Sequence, residues 1–155
     1  MMYKSKHFEL YELVDKYTYN TVPHWKLWGA LDSRLLKVID ILREDSVVGV
    51  PITINSWKWN GKRQWSGLRV PESPYYLQYS QHSFGRAVDM IFKGIPAEKV
   101  RERIKELMNQ GAFKGVCDSI TCEETKDYRD HGINPLTWCH LDLRVNNPGY
   151  NEFYV

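Results

Sequence analysis

Two polar clusters far apart in the sequence constrain what this chain can fold into. They are Ser80-Gln81-His82-Ser83-Phe84-Gly85-Arg86-Ala87-Val88-Asp89 and Trp138-Cys139-His140-Leu141-Asp142. From Arg86 to Phe92 the alternation predicts a strand. Val88, Met90 and Phe92 face a core, and Ala87, Asp89 and Ile91 share the other face. From Thr137 to Arg144 a second strand turns Cys139, Leu141 and Leu143 one way and Trp138, His140, Asp142 and Arg144 the other. Polar side chains on a strand inside a small domain need a purpose, and a metal with its supporting hydrogen bonds provides one. Two imidazoles and a carboxylate are the donor set of a catalytic zinc site, where three protein ligands leave a fourth position open for water. Such a site obliges the fold to bring the two distant segments together.

The rest of the chain predicts an ordinary small domain. At 155 residues it suits one core. With 43% hydrophobic and 26% charged residues it has the composition of a soluble globular protein rather than a disordered one. The net charge of +2 and the lack of a dense Lys/Arg stripe argue against a nucleic-acid partner. Residues 1–14 show no apolar signal segment and nothing spans a membrane, so synthesis as a soluble cytoplasmic protein is expected, with no membrane partner. Three cysteines, Cys117, Cys122 and Cys139, are too few and too oddly spaced for a disulfide framework and read as reduced, mostly buried thiols.

Residues 8–14 read as a short helix or arm. A helix is predicted over residues 33–44, capped by Asp32 or Ser33, with Leu35, Leu36, Val38, Ile39 and Leu42 at helical spacing. The β-branched run 50–55 reads as a strand. Residues 56–81 form a long polar-aromatic loop whose Trp57, Trp59, Trp65, Tyr75, Tyr76 and Tyr79 either line a groove or fill the core. Pro96 opens a helix with Val100, Ile104, Leu107 and Met108 as its apolar stripe and Gly111 at its end. Residues 114–120 are expected to form a strand and 121–136 an exposed loop, with Asp118, Glu123 and Glu124 as solvated charges. The element order predicts a single-domain α+β fold with a central antiparallel sheet flanked by helices, in which 1–49 is an N-terminal helical extension and 50–145 the core.

The pattern Ser80-x-His82-x-x-Gly85-x-Ala87-x-Asp89, followed by Trp138-x-His140-x-Asp142, resembles the M15-type zinc peptidases. These are the D-alanyl-D-alanine carboxypeptidase, L-alanyl-D-glutamate endopeptidase and hedgehog-like fold group. Ser66-Gly67-Leu68-Arg69 is similar to a Ser-Gly-Tyr-Arg stretch upstream in these enzymes. The resemblance covers about residues 50–145 and implies a hedgehog/DD-peptidase-like fold. It also implies a zinc metallopeptidase that cleaves stem or cross-link peptides of bacterial peptidoglycan, expected as a monomer. The N-terminal third is similar to extensions in small phage and prophage members, so action on the wall follows release from the cell or assembly into a phage particle.

Carried over, His82, Asp89 and His140 would be the zinc ligands, and Arg69 would bind a substrate carboxylate or polarise the scissile carbonyl. The chain departs from the family at Thr137, three residues before the last histidine, where many members carry the Glu or Asp that serves as general base. Asp142, on the same strand face as His140, is the substitute base or else a partner that orients a ligand histidine. A catalytically inactive zinc-binding module, binding the wall or building a phage particle, is the alternative on the same fold. Gln81 is expected chiefly to bond loop backbone, His131 to sit in a solvated loop, and His7 and His24 to be structural.

Overall fold

A computed structural model describes residues 2–155. Both alternating segments form strands, β2 (Ala87–Phe92) and β4 (Cys139–Asp142), and they pair with each other. Together with β1 (Ile52–Thr53), β3 (Ser119–Glu124) and β5 (Gly149–Tyr154) they make one sheet in the order β1-β2-β4-β3-β5. The α+β class is as expected, but the sheet is mixed rather than antiparallel. β1, β2, β4 and β3 pair antiparallel, whereas β5 adds beside β3 in parallel. That strand lies beyond residue 145, where the recognisable core was expected to end.

Among the described residues six α-helices accompany the sheet: α1 (Leu10–Leu13), α2 (Lys16–Thr21), α3 (His24–Ala30), α4 (Ser33–Glu44), α5 (Ala97–Asn109) and α6 (Lys126–His131). Asp32 caps α4 by accepting the Arg34 N–H at 2.9 Å, and the helix buries Leu35, Leu36, Val38, Ile39 and Leu42. Each such side chain taken from water contributes about 1.5–3 kcal/mol. α5 begins just after Pro96 and lays Val100, Ile104 and Leu107 against the sheet. On that face it meets Val88, Met90, Ile120, Cys122, Cys139 and Leu141, all in one apolar cluster that also takes in Leu13, Leu27 and the α4 stripe. The parity of the strands therefore sends Asp89, His140 and Asp142 to the opposite face, as the alternation predicts.

The segment 114–136 departs from the sequence reading. The strand starts at Ser119, and the expected loop holds most of β3 and all of α6. Alternation was hidden there because Glu124 occupies a core-side position together with Ile120 and Cys122. Glu124 is buried, paired with the equally buried Arg101 of α5, and accepts the N–H groups of Thr125 at 2.7 Å and Leu136 at 3.0 Å. It is not a solvated charge; burial is tolerated because both ions are paired. Asp118 is exposed, as expected.

Two glycines bring the N-terminal helices onto the loops that carry the polar clusters. Gly85 has φ +66°, and a Cβ there would sit 2.1 Å from the carbonyl oxygen of Ala30. Its own carbonyl accepts the N–H of Asp32 at 3.0 Å. A Cβ on Gly67 would lie 2.2 Å from the Leu13 oxygen, while the neighbouring Leu68 N–H bonds that same oxygen at 2.9 Å. Gly85→Ala combines a left-handed backbone with a backbone clash and is expected to cost at least about 2 kcal/mol. Urea unfolding measures this as a lower midpoint at unchanged slope; a midpoint equal to wild type would contradict the close approach.

Candidate metal centre

His82 sits in a 3-10 turn, Gln81–Phe84, capped by the Ser80 hydroxyl and closed by the left-handed Gly85. The turn packs against β2 and holds a buried imidazole beside that strand. Asp89 and His140 come from adjacent strands and are direct cross-strand partners in the β2–β4 register. Paired residues on one face hold their Cβ atoms about 4.5–5.5 Å apart, close enough for both side chains to reach one ion.

One ligand atom from each of His82, Asp89 and His140 lies within 4.8 Å of the others, and all three residues are buried. The group can therefore hold a metal ion. Hydrogen bonds select the donor atoms. His82 Nδ1 donates to the Gly67 carbonyl at 2.8 Å, which leaves Nε2 directed 3.4 Å from Asp89 Oδ1. His140 Nε2 faces Asp142 Oδ2 at 2.9 Å, and Nδ1 faces Asp89 Oδ1 at 2.8 Å. Nε2 of His82, Oδ1 of Asp89 and Nδ1 of His140 thus converge. In a tetrahedral site with bonds near 2.0–2.1 Å, ligand atoms stand about 3.3 Å apart, close to the 3.4 and 2.8 Å that already separate Asp89 Oδ1 from the two imidazole nitrogens.

Burial alone would raise the Asp89 carboxyl, but bonds from His140 and His82 and their charge hold it well below the usual carboxylate range. Burial would lower His140, yet its bonds to Asp142 and Asp89 win and push it up to about 9. Burial likewise acts to raise Asp142, and His140 and Arg144 bring it below the ordinary value. The metal-free site therefore binds a proton in the place where an ion would sit.

Asp142 is an orienting residue. Its side chain is 0% exposed and does not line the cavity in front of the triad. Arg144 grips it through Nε at 2.9 and 3.0 Å and through its backbone N–H at 3.0 Å, and the free edge meets His140. Of the two expected roles for Asp142, base or ligand orienter, these bonds suit the second. Arg69 donates from Nε to the Trp65 carbonyl at 2.8 Å and from Nη2 to Asp89 Oδ2 at 3.0 Å, so it turns Oδ1 towards the histidines. With Asp89 it also lines the open space before the triad.

That space comprises two cavities sharing Arg69, Asp89 and Trp138. The larger, about 590 Å³, also takes in His82, His140, Glu123 and Phe153; the smaller, about 400 Å³, takes in Lys62, Trp65 and Tyr75. Of the loop aromatics, Trp65, Tyr75 and Tyr79 face these cavities. Trp57 and Trp59 instead pack on Tyr11 at 6.4 and 5.7 Å, so the aromatic run divides between groove and scaffold. Gln81 lines the larger cavity with its Oε1 buried and unbonded among the described residues. His131 is exposed at the end of α6, and Thr137 is exposed outside both cavities. His7 bonds Glu44 at 2.7 Å and His24 stacks on Tyr19 at 4.4 Å, both away from the site. The three cysteines are free.

Sequence reading missed Glu123 and Phe153. Continuing the β3–β4 register one residue past Cys122↔Leu141 sets Glu123 opposite His140, and Glu123 is paired with Phe153 of β5. Glu123 and Phe153 thus share the sheet face of Asp89 and His140, and Phe153 meets the His140 ring edge-on at 6.0 Å. The alternation Ser119, Thr121, Glu123 was the signal that could have found Glu123. Among the described residues no helix is long and apolar enough to cross a membrane. Comparison with protein-family models, with curated proteins and with solved structures returned no match for this chain.

Three outcomes are expected. A histidine raised to about 9 stabilises the metal-free fold fully below its ordinary value near 6.5, and that contribution is lost as pH rises through 9. Thermal unfolding without metal should therefore weaken across that window. Metal binding at neutral pH should release close to one proton, read by calorimetry in buffers of different ionisation enthalpy. Asp142→Asn should lower metal affinity about 10–100-fold by releasing the His140 tautomer; unchanged affinity would contradict its orienting role.

Proposed function

We propose that the protein is a zinc-dependent metallopeptidase that hydrolyses stem or cross-link peptides of bacterial peptidoglycan. The observation that carries this reading is the convergence of His82 Nε2, Asp89 Oδ1 and His140 Nδ1 on the floor of an open cavity, with Arg69 beside them. The motif resemblance of residues 80–89 and 138–142 supplies the reaction and substrate class. Two imidazoles and one carboxylate suit zinc over the harder, all-oxygen cations. Zinc bound there would supply a Lewis acid that makes water nucleophilic near neutral pH.

The chain's own groups fill the remaining roles. Arg69 is a fixed cation beside the triad, suited to a substrate carboxylate or to charge developing on the scissile carbonyl oxygen. Two cavities that share Arg69, Asp89 and Trp138 give a peptide room beside the triad. Asp142 and the Gly67 carbonyl keep both imidazoles in the required tautomers. Trp65, Tyr75 and Tyr79 offer apolar surface to the peptide.

One observation favours a second reading, a metal-holding module that binds the wall or a phage particle without cutting. Neither Thr137 nor Asp142 presents a carboxylate to the cavity, so the two positions expected to supply a base do not. Purified sacculi separate the readings. The peptidase, with one zinc per chain, releases new amino groups, and His82→Ala loses both zinc and release. A zinc-loaded protein that only co-sediments with sacculi is the module.

A further inference from the structure

We propose that Glu123 is the general base of this site, replacing the acid that the chain lacks at Thr137; this rests on the hydrolase reading above. Glu123 lines the same cavity as His82, Asp89, His140 and Arg69. The recorded β3–β4 pairing ends at Cys122↔Leu141, immediately beside Glu123 on one strand and His140 on the other, so both side chains fall on the same sheet face and line the space before the triad. It is half-buried, and among the described residues its carboxylate makes no hydrogen bond or ion pair.

The other acids are committed. Asp89 is held by both histidines and Arg69, and Asp142 is sealed between His140 and Arg144. Glu124, next in sequence, points to the opposite face and pairs with Arg101. Glu123 alone of these carboxylates is open to the cavity and unbonded. The flanking Phe153 narrows solvent access from the β5 side, and Arg144, stacked 4.2 Å above that ring, lines the same cavity as a positive neighbour.

The step balances without any further reactant. A Glu123 oxygen takes one proton from the attacking water as its oxygen bonds the scissile carbonyl carbon. When the carbon–nitrogen bond breaks, the same carboxyl gives that proton to the departing nitrogen. The second water proton, left on the new carboxyl group, also passes to the amine, so the products are a carboxylate and an ammonium group, and Glu123 is restored as carboxylate.

The test compares wild type, Glu123→Gln and Glu123→Asp as full chains. Zinc affinity is measured by calorimetry, unfolding by heating, binding by co-sedimentation with sacculi, and hydrolysis by amine release. Glutamine keeps the shape without the proton acceptor. It should retain zinc affinity, melting temperature and sacculus binding within about threefold while hydrolysis falls on the order of 10²–10⁴-fold. Aspartate should recover part of the rate. Active wild type with equally active Glu123→Gln overturns this assignment and leaves the hydrolase reading standing. Loss of zinc from Glu123→Gln also overturns it, because the carboxylate would then serve the metal. A zinc-loaded wild type that binds sacculi and releases no amine overturns both.

Discussion

The antiparallel register that sets Asp89 opposite His140 is the constraint on which the site depends. It converts two segments distant in the sequence into neighbours on one sheet face. Because side chains alternate with a strict period of two, slipping this pairing by one residue would send His140 into the apolar cluster and Leu141 into the cavity. The register is protected from the other side. Val88, Met90, Cys139 and Leu141 lie under α5, and any slip would expose them. Packing on one face thereby positions polar chemistry on the other.

Around this pair the structure is a set of orienting bonds. Arg69 turns Asp89, Asp142 turns His140, and the Gly67 carbonyl turns His82. Each leaves one ligand atom directed at a common point. The same bonds produce the unusual protonation of the metal-free site, with Asp89 held low and His140 held high. A site that binds a proton strongly in place of a metal is one in which charge has been gathered before the ion arrives. The N-terminal helices belong to this arrangement, since Leu13 and Ala30 contact the glycines that shape the Ser66–Arg69 and Gln81–Gly85 loops.

Much of this was legible from residues alone where the signal was local. The helices at 33–44 and after Pro96, the two alternating strands and the faces of Asp89, His140 and Asp142 all follow from periodicity. The reading failed where a local pattern had a non-local cause. Glu124 looks like a surface charge until Arg101 reaches it from α5, and its presence on the core side hid the alternation of β3. β5 has three aromatics, Tyr150, Phe153 and Tyr154, but they do not alternate with period two, and its parallel partner β3 lies 25 or more residues earlier, so its own sequence does not announce it. Trp57 and Trp59 are as aromatic as Trp65, and only their distance to Tyr11 separates scaffold from groove.

By itself the sequence determined the donor set: two imidazoles and a carboxylate at spacings that strand geometry places on one face. Residue type and period are properties of neighbouring positions, and they suffice for that. Tertiary structure decided which acid each environment receives. Asp142, two residues from His140 in the chain, is closed off by Arg144, while Glu123, far from both motifs, opens into the cavity that His140 lines. Strand order and register bring those groups together, and both are settled by burial of the opposite face rather than by any short stretch of residues.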